Sequence, residues 1–194
     1  PGLAHVLGYV GYPTEKELKA NPDYNPKQLI GQDGIEAYYN DRLGGIKGIR
    51  IEEIDALGQA VTDHVSREPV SGTNLALSID SRVQTQMYKM IKSVATDRGF
   101  VGGSGAIIDV QTGEILALVS YPEFDSNILS VGKDREAISG YFDSQTHPLL
   151  NRVVAGLYTP GSVFKPFMAV GALEENIIDP AKQILSTGQI SITN

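Results

Sequence analysis

The chain has 194 residues, of which 41% are hydrophobic and 20% charged, with a net charge of −7 and a pI near 4.9. This is the composition of a folded globular protein. It excludes a general nucleic-acid surface, because no stripe of Lys and Arg forms, and it contains no apolar run of the roughly eighteen residues that crossing a bilayer takes. The absence of cysteine removes disulfides, thiolate nucleophiles and Cys-ligated metal. His5, His64 and His147 share no metal-ligand spacing, so each reads as a packing or surface residue, and neither a metal nor a cofactor is expected.

Residues 1–70 are interrupted by Gly and Pro in "GYVGYP", "NPDYNP" and "RLGGIKG". They predict an irregular, multi-turn module with one helix around "GIEAYYNDRL". "REPVSGTN", residues 67–74, has the character of a boundary. Beyond it, Leu75, Leu77 and Ile79 in "TNLALSI" alternate at period two and predict a half-buried strand. Val83, Met87, Met90, Ile91 and Val94 then recur at helical spacing, with Asp80 or Ser81 as N-cap and Gly99 as the stop. "GAIIDVQTGEILALVSYP" gives two apolar runs around a short loop that Gly113 closes in the left-handed conformation. Consecutive apolar residues, Ile107–Ile108 and Leu116–Leu118, imply strands covered on both faces. The order strand, helix, hairpin, helix predicts an α+β fold, an antiparallel sheet with packed helices.

"YTPGSVFKPF", residues 158–167, carries the chemistry. Pro166 is tolerated only in a first helical turn, so a helix should begin near Ser162. Pro160 and Gly161 make the turn into it, and the apolar "FMAVGALEEN" predicts that the helix is buried. Ser162 could simply cap this helix. A capping box would then place Glu or Gln three residues on, where the helix dipole favours an acid, yet Lys165 stands there. Residues three apart share a face, so the amine can reach the serine hydroxyl. Burial and the helix N-terminus both disfavour an ammonium, which suits Lys165 to act as a general base on a nucleophilic Ser162. The Ser162 backbone N–H is then one donor of an oxyanion hole. A second Ser-x-x-Lys, Ser130 to Lys133, contains Gly132 and precedes the polar "DRE"; it predicts a solvated loop without such a helix.

These residues resemble the class B penicillin-binding proteins, the peptidoglycan transpeptidases that belong with the serine β-lactamases. "HVLGYVG", "LIGQDGIEAYYNDRLGG", "GTNLALSIDSRVQ", "GSGAIIDVQTGEILALVSYPEFDSN" and "NRVVAGLYTPGSVFKP" follow the family's order over nearly the whole chain. The resemblance implies that residues 1–70 are part of the dimerisation-type pedestal and 71–194 the N-terminal part of a transpeptidase domain with a penicillin-binding, serine β-lactamase-like fold. It makes Ser162 the acylated nucleophile and Lys165 its base, with no cofactor. The implied partners are peptidoglycan stem peptides, β-lactams held covalently at Ser162, and a membrane glycosyltransferase. The implied place is the extracytoplasmic face of the bacterial cell membrane, reached through an anchor outside these residues, in cell-shape or division growth. The family's later Ser-x-Asn and Lys-Thr/Ser-Gly motifs do not occur, since "STG" at 186–188 has no lysine. The chain is therefore expected to be a fragment, inactive by itself, of a DD-transpeptidase. A serine β-lactamase shares the Ser-x-x-Lys helix but needs no pedestal, and a β-lactam sensor or scaffold would acylate without turnover.

Overall fold

A computed structural model describes residues 1–54, 57, 60–183, 185 and 188. Its contacts divide the chain into two units, Pro1–Gly156 and Leu157–Asn194.

The first unit opens with short elements: α1 (Ala4–Leu7), β1 (Val10–Gly11), α2 (Glu15–Ala20), β2 (Ile30–Gly31), α3 (Gly34–Tyr38) and α4 (Asn40–Leu43). Thr14 caps α2 in a full capping box, its hydroxyl accepting from Glu17 N–H while the Glu17 carboxylate accepts from Thr14 N–H. The predicted helix in "GIEAYYNDRL" forms as two pieces, α3 and α4, broken at Tyr39. β1 and β2 pair antiparallel. So do β3 (Ile49–Ile54) and β4 (Ala60–Arg67), a ribbon with register shifts at both ends of β3. This ribbon adds strands to residues 1–70, read from sequence as an irregular, multi-turn module with one helix. Ile49 and Ile51 alternate with Arg50 and Glu52, a period-two signal diluted by charge, and both isoleucines remain exposed.

The centre of the unit is α5 (Ser81–Arg98) lying on the antiparallel pair β5 (Gly103–Ile108) and β6 (Ile115–Tyr121). Asp80 is the N-cap of α5, its carboxylate accepting from Arg82 and Val83 N–H, and Gly99 ends the helix at φ +69°. Gly113 takes φ +78° in the loop between the strands, where its N–H donates to Asp109 O. Ala117 and Val119 of β6 are buried. In the ladder Val119 faces Gly105 and Ala117 faces Ile107, and the face they share, which also carries Gly103, meets α5. Covering is uneven, however. Ile107 and Ile108 are 39% and 54% exposed, so β5 is not enclosed on both faces: among the described residues it pairs with β6 alone, and α5 covers one side.

"TNLALSI" is not a strand. The β6 edge nearest to it is taken by a side chain. Gln84 of α5 is fully buried; its Oε1 accepts from Leu118 N–H and its Nε2 donates to Leu118 O, both at 2.7 Å, and also to Gly2 O. One amide thus satisfies β6 as a neighbouring strand would. The segment before α5 hydrogen-bonds β6 through Ser78 Oγ to Ile115 O and Asp80 N–H to Leu116 O.

After β6 come α6 (Ser126–Val131), α7 (Arg135–Asp143) and α8 (Arg152–Ala155). The first residues of the chain are bound here. The Glu123 carboxylate accepts from Gly2 N–H and Ala4 N–H, Ser126 Oγ donates to Gly8 O, and His5 packs edge-on to Phe124 with ring centres 5.1 Å apart. The second unit is a 3-10 turn, Gly161–Phe164, leading into α9 (Lys165–Glu174).

Candidate active site

Gly161 enters the turn at φ +57°, a conformation that L side chains rarely adopt. Pro160 before it has φ −67° and ψ −24°. The 3-10 turn is continuous with α9, and Pro166 lies in the first turn of the helix, where its missing N–H costs nothing. Ser162 is the second residue of the 3-10 turn, and Lys165, which begins α9, donates its backbone N–H to Ser162 O. In 3-10 geometry side chains three apart eclipse one another. Hydroxyl and amine therefore leave the same side of one turn.

Helical structure thus starts one residue before Ser162, and Ser162 does not act as a capping side chain for either segment. Its hydroxyl makes no hydrogen bond among the described residues, and none joins it to Lys165. The Ser162 N–H, at the open end of the turn, precedes the first intrahelical donor.

The expected burial is corrected. Ser162 and Lys165 are both exposed, and Phe167, Met168 and Val170 of α9 are 71%, 59% and 60% exposed. Within its own unit α9 contacts the turn that precedes it, and its apolar residues stay open to solvent. Phe164 and Phe167 lie 6.1 Å apart, ring centre to ring centre, and form its one aromatic contact among the described residues.

The other Ser-x-x-Lys has the opposite geometry. Ser130 lies at the end of α6, and Gly132 is the left-handed C-cap at φ 64°. This corrects the expected loop to a helix terminus, but one presenting carbonyls rather than N–H groups, which cannot stabilise an oxyanion. Ser186 and Thr187 of "STG" lie outside the described residues.

Three buried polar residues escaped the sequence reading: Gln84, Ser120 and Arg152. His5, read only as a packing or surface residue, is buried beside them and donates from Nε2 to Pro148 O at 2.9 Å. Nothing in their local pattern marks them, since polar side chains at such positions ordinarily face water.

Residues 2–77 match the penicillin-binding protein dimerisation domain and residues 103–191 the penicillin-binding protein transpeptidase domain. The chain belongs to the penicillin-binding proteins. Within that family it is similar to the peptidoglycan D,D-transpeptidase MrdA of Acinetobacter baumannii, 40% identical over 190 residues, 96% of this chain and 27% of the relative. The structure is similar to penicillin-binding protein PBP2 of Helicobacter pylori in its complex with MreC, with a TM-score of 0.78 and 31% identity over 98% of this chain and 34% of that one. It is also similar to Pseudomonas aeruginosa PBP2 in complex with WCK 5153, with a TM-score of 0.71 and 32% identity over 98% of this chain and 37% of that one. The chain thus spans about a quarter of the curated relative's length. Among the described residues no helix is long and apolar enough to cross a membrane.

Proposed function

We propose that this chain is the part of a peptidoglycan D,D-transpeptidase that runs from its pedestal to its nucleophile. Residues 1–70 would belong to the pedestal and 71–194 to the front of the transpeptidase domain. The observation that carries this reading is one turn: Ser162 and Lys165, three residues apart, at the amino-terminal start of α9.

Lys165 takes the proton from Ser162 Oγ, which attacks the carbonyl carbon of the penultimate D-alanine of a stem peptide. The oxyanion forms against the Ser162 N–H. The C–N bond then breaks, the proton passes from Lys165 to the departing D-alanine amine, and an acyl-serine ester remains. An amine on a neighbouring strand then attacks the ester carbonyl, the bond to Ser162 Oγ breaks as the new C–N bond forms, and the amine proton passes by way of Lys165 to Ser162 Oγ, which is freed. A β-lactam acylates the same oxygen by opening its ring amide.

The solved relatives include PBP2 bound to MreC and a peptidoglycan synthase complex in which polymerisation and crosslinking are coordinated. By analogy the partner proposed here is a membrane glycosyltransferase, and the place is the outer face of the cell membrane. The test is a labelled penicillin given to the full-length protein, followed by peptide mapping. The label is expected on Ser162; label on Ser130, or none, would overturn the reading.

A further inference from the structure

Arg152, the first residue of α8, is only 5% exposed. No carboxylate pairs with it among the described residues. Its guanidinium instead donates to backbone carbonyls: Nη1 to His147 O at 3.1 Å, with a longer contact to Leu150 O at 3.5 Å, and Nη2 to Thr146 O. The same loop is held twice more. Ser120 Oγ of β6 donates to Leu150 O at 3.0 Å and accepts from Arg152 N–H at 3.0 Å. His5, from the amino-terminal module, donates to Pro148 O.

Two further observations show that the fold is built around this arginine. A Cβ on Gly102 would lie 2.6 Å from Arg152 Nε and 2.5 Å from Tyr121 O, so only glycine admits the guanidinium. His147 has φ 43°, a left-handed conformation that a non-glycine residue keeps only where its surroundings impose it. Its carbonyl is one of the three that Arg152 holds. An apolar side chain of similar volume commonly serves stability as well as a buried charge does. What a fork of donors adds is direction.

We infer that Arg152 is a positioning residue: it fixes the loop 146–150 against β6 and with it the last helix of the first unit, α8, which precedes Ser162 in the chain. His5 extends that hold to the amino-terminal module. The inference rests on the proposed acylation of Ser162, and its test separates the two. Full-length wild type, Arg152→Gln and Arg152→Lys are titrated with a labelled penicillin, resolving the fraction labelled at saturation, the half-saturating concentration and the limiting acylation rate. For Arg152→Gln the limiting rate is expected to fall at least tenfold while the labelled fraction stays within twofold of wild type. Arg152→Lys, a cation without the fork, should fall between them. A merely structural arginine would give the reverse pattern, a smaller labelled fraction that reacts at the wild-type rate, and that result overturns the inference. Should Arg152→Gln fail to fold, the limiting rate of Arg152→Lys decides alone. If wild type is not labelled at Ser162, the proposed function falls, and hydrogen exchange decides what remains. The amides of Leu150 and Arg152 should exchange at least tenfold faster in Arg152→Gln while that of Leu118, held by Gln84, keeps its protection. Unchanged protection at Leu150 and Arg152 would refute the hold itself.

Discussion

His5 shows how a residue without local signal acquires a role. Burial holds its imidazole below the ordinary 6.5, and the charge of Arg152 acts the same way, against the hydrogen bond to Pro148 and the carboxylates of Glu123 and Asp33. In the unfolded chain His5 takes up its proton as pH falls through about 6.5, whereas the folded chain resists until a lower pH. Between those values the unfolded state binds more protons, so the stability contribution is complete above about 6.5 and is lost as pH falls below it. Urea midpoints between about pH 7.5 and 5.5 should therefore decline more steeply in wild type than in His5→Gln, which keeps a donor and cannot titrate. Parallel declines would exclude His5 as the source. Lys165 calls for a different substitution. Arginine has a similar reach but stays protonated and cannot serve as a base, so Lys165→Arg in the full-length protein should abolish penicillin labelling while leaving the melting temperature nearly unchanged. Labelling at a near-normal rate would reduce Lys165 to an electrostatic neighbour. Ser162 and Lys165 were legible in the sequence because proline, glycine and spacing announce a helix start. Gln84 was not, because its partners are backbone groups distant in sequence, Gly2 and Leu118; nor was Arg152, because the carbonyls it holds, those of Thr146, His147 and Leu150, are backbone groups that leave no mark in the side-chain pattern.

At the scale of elements, legibility followed the locality of the cause. The ends of α5 were readable because Asp80 and Gly99 act on their own helix, and the β5–β6 loop because Gly113 acts on its own turn. "TNLALSI" misled because its alternation describes a face, whereas a strand also needs a free edge, and Gln84 occupies the middle of the one beside it. The glycines of β5 were read only as part of a strand, yet they set how closely α5 approaches. A Cβ on Gly105 would sit 2.2 Å from Met87 Cε and 3.4 Å from Ile91 Cδ1. Alanine can be accommodated if the flexible end of Met87 moves, but valine cannot. Gly105→Val should destabilise the protein by about 1–3 kcal/mol, the usual cost of overpacking, and Met87→Ala in the same chain should recover part of it. Urea unfolding of the two variants checks this. An additive loss in the double variant would show that the α5–β5 contact is not the site of strain.

At the scale of the whole molecule, the composition anticipated a folded globular protein and the order of elements an α+β fold, but neither anticipated how much apolar surface it would leave in water. A groove between α5 and β5, lined by Val83, Met87, Met90, Ile91 and Ile107, opens beside the unpaired edge of β5 among the described residues. Met90 in it, and Val94 and Phe100 in an adjoining groove that shares Met90 and Ile91, are 60%, 54% and 60% exposed. An apolar surface of this kind next to free strand hydrogen-bonding groups promotes association. In the other unit, Ser162 and Lys165 stand in solvent on a helix whose apolar residues are uncovered. Water competes there for both hydroxyl and amine, and a single oxyanion donor is at hand. The resemblance assigns the second donor to a Lys-Thr/Ser-Gly strand, a motif absent from the 194 residues. Loss of one such donor slows acyl transfer by about 100- to 1000-fold, before any loss of substrate cleft is counted. The 194-residue chain alone should therefore label with penicillin at least 100-fold more slowly than the full-length protein, and its mass in solution should rise with concentration. Light scattering and a labelling time course on the same sample check both. Full-length rates from a chain that stays monomeric would show that the turn carrying Ser162 and Lys165 is sufficient by itself.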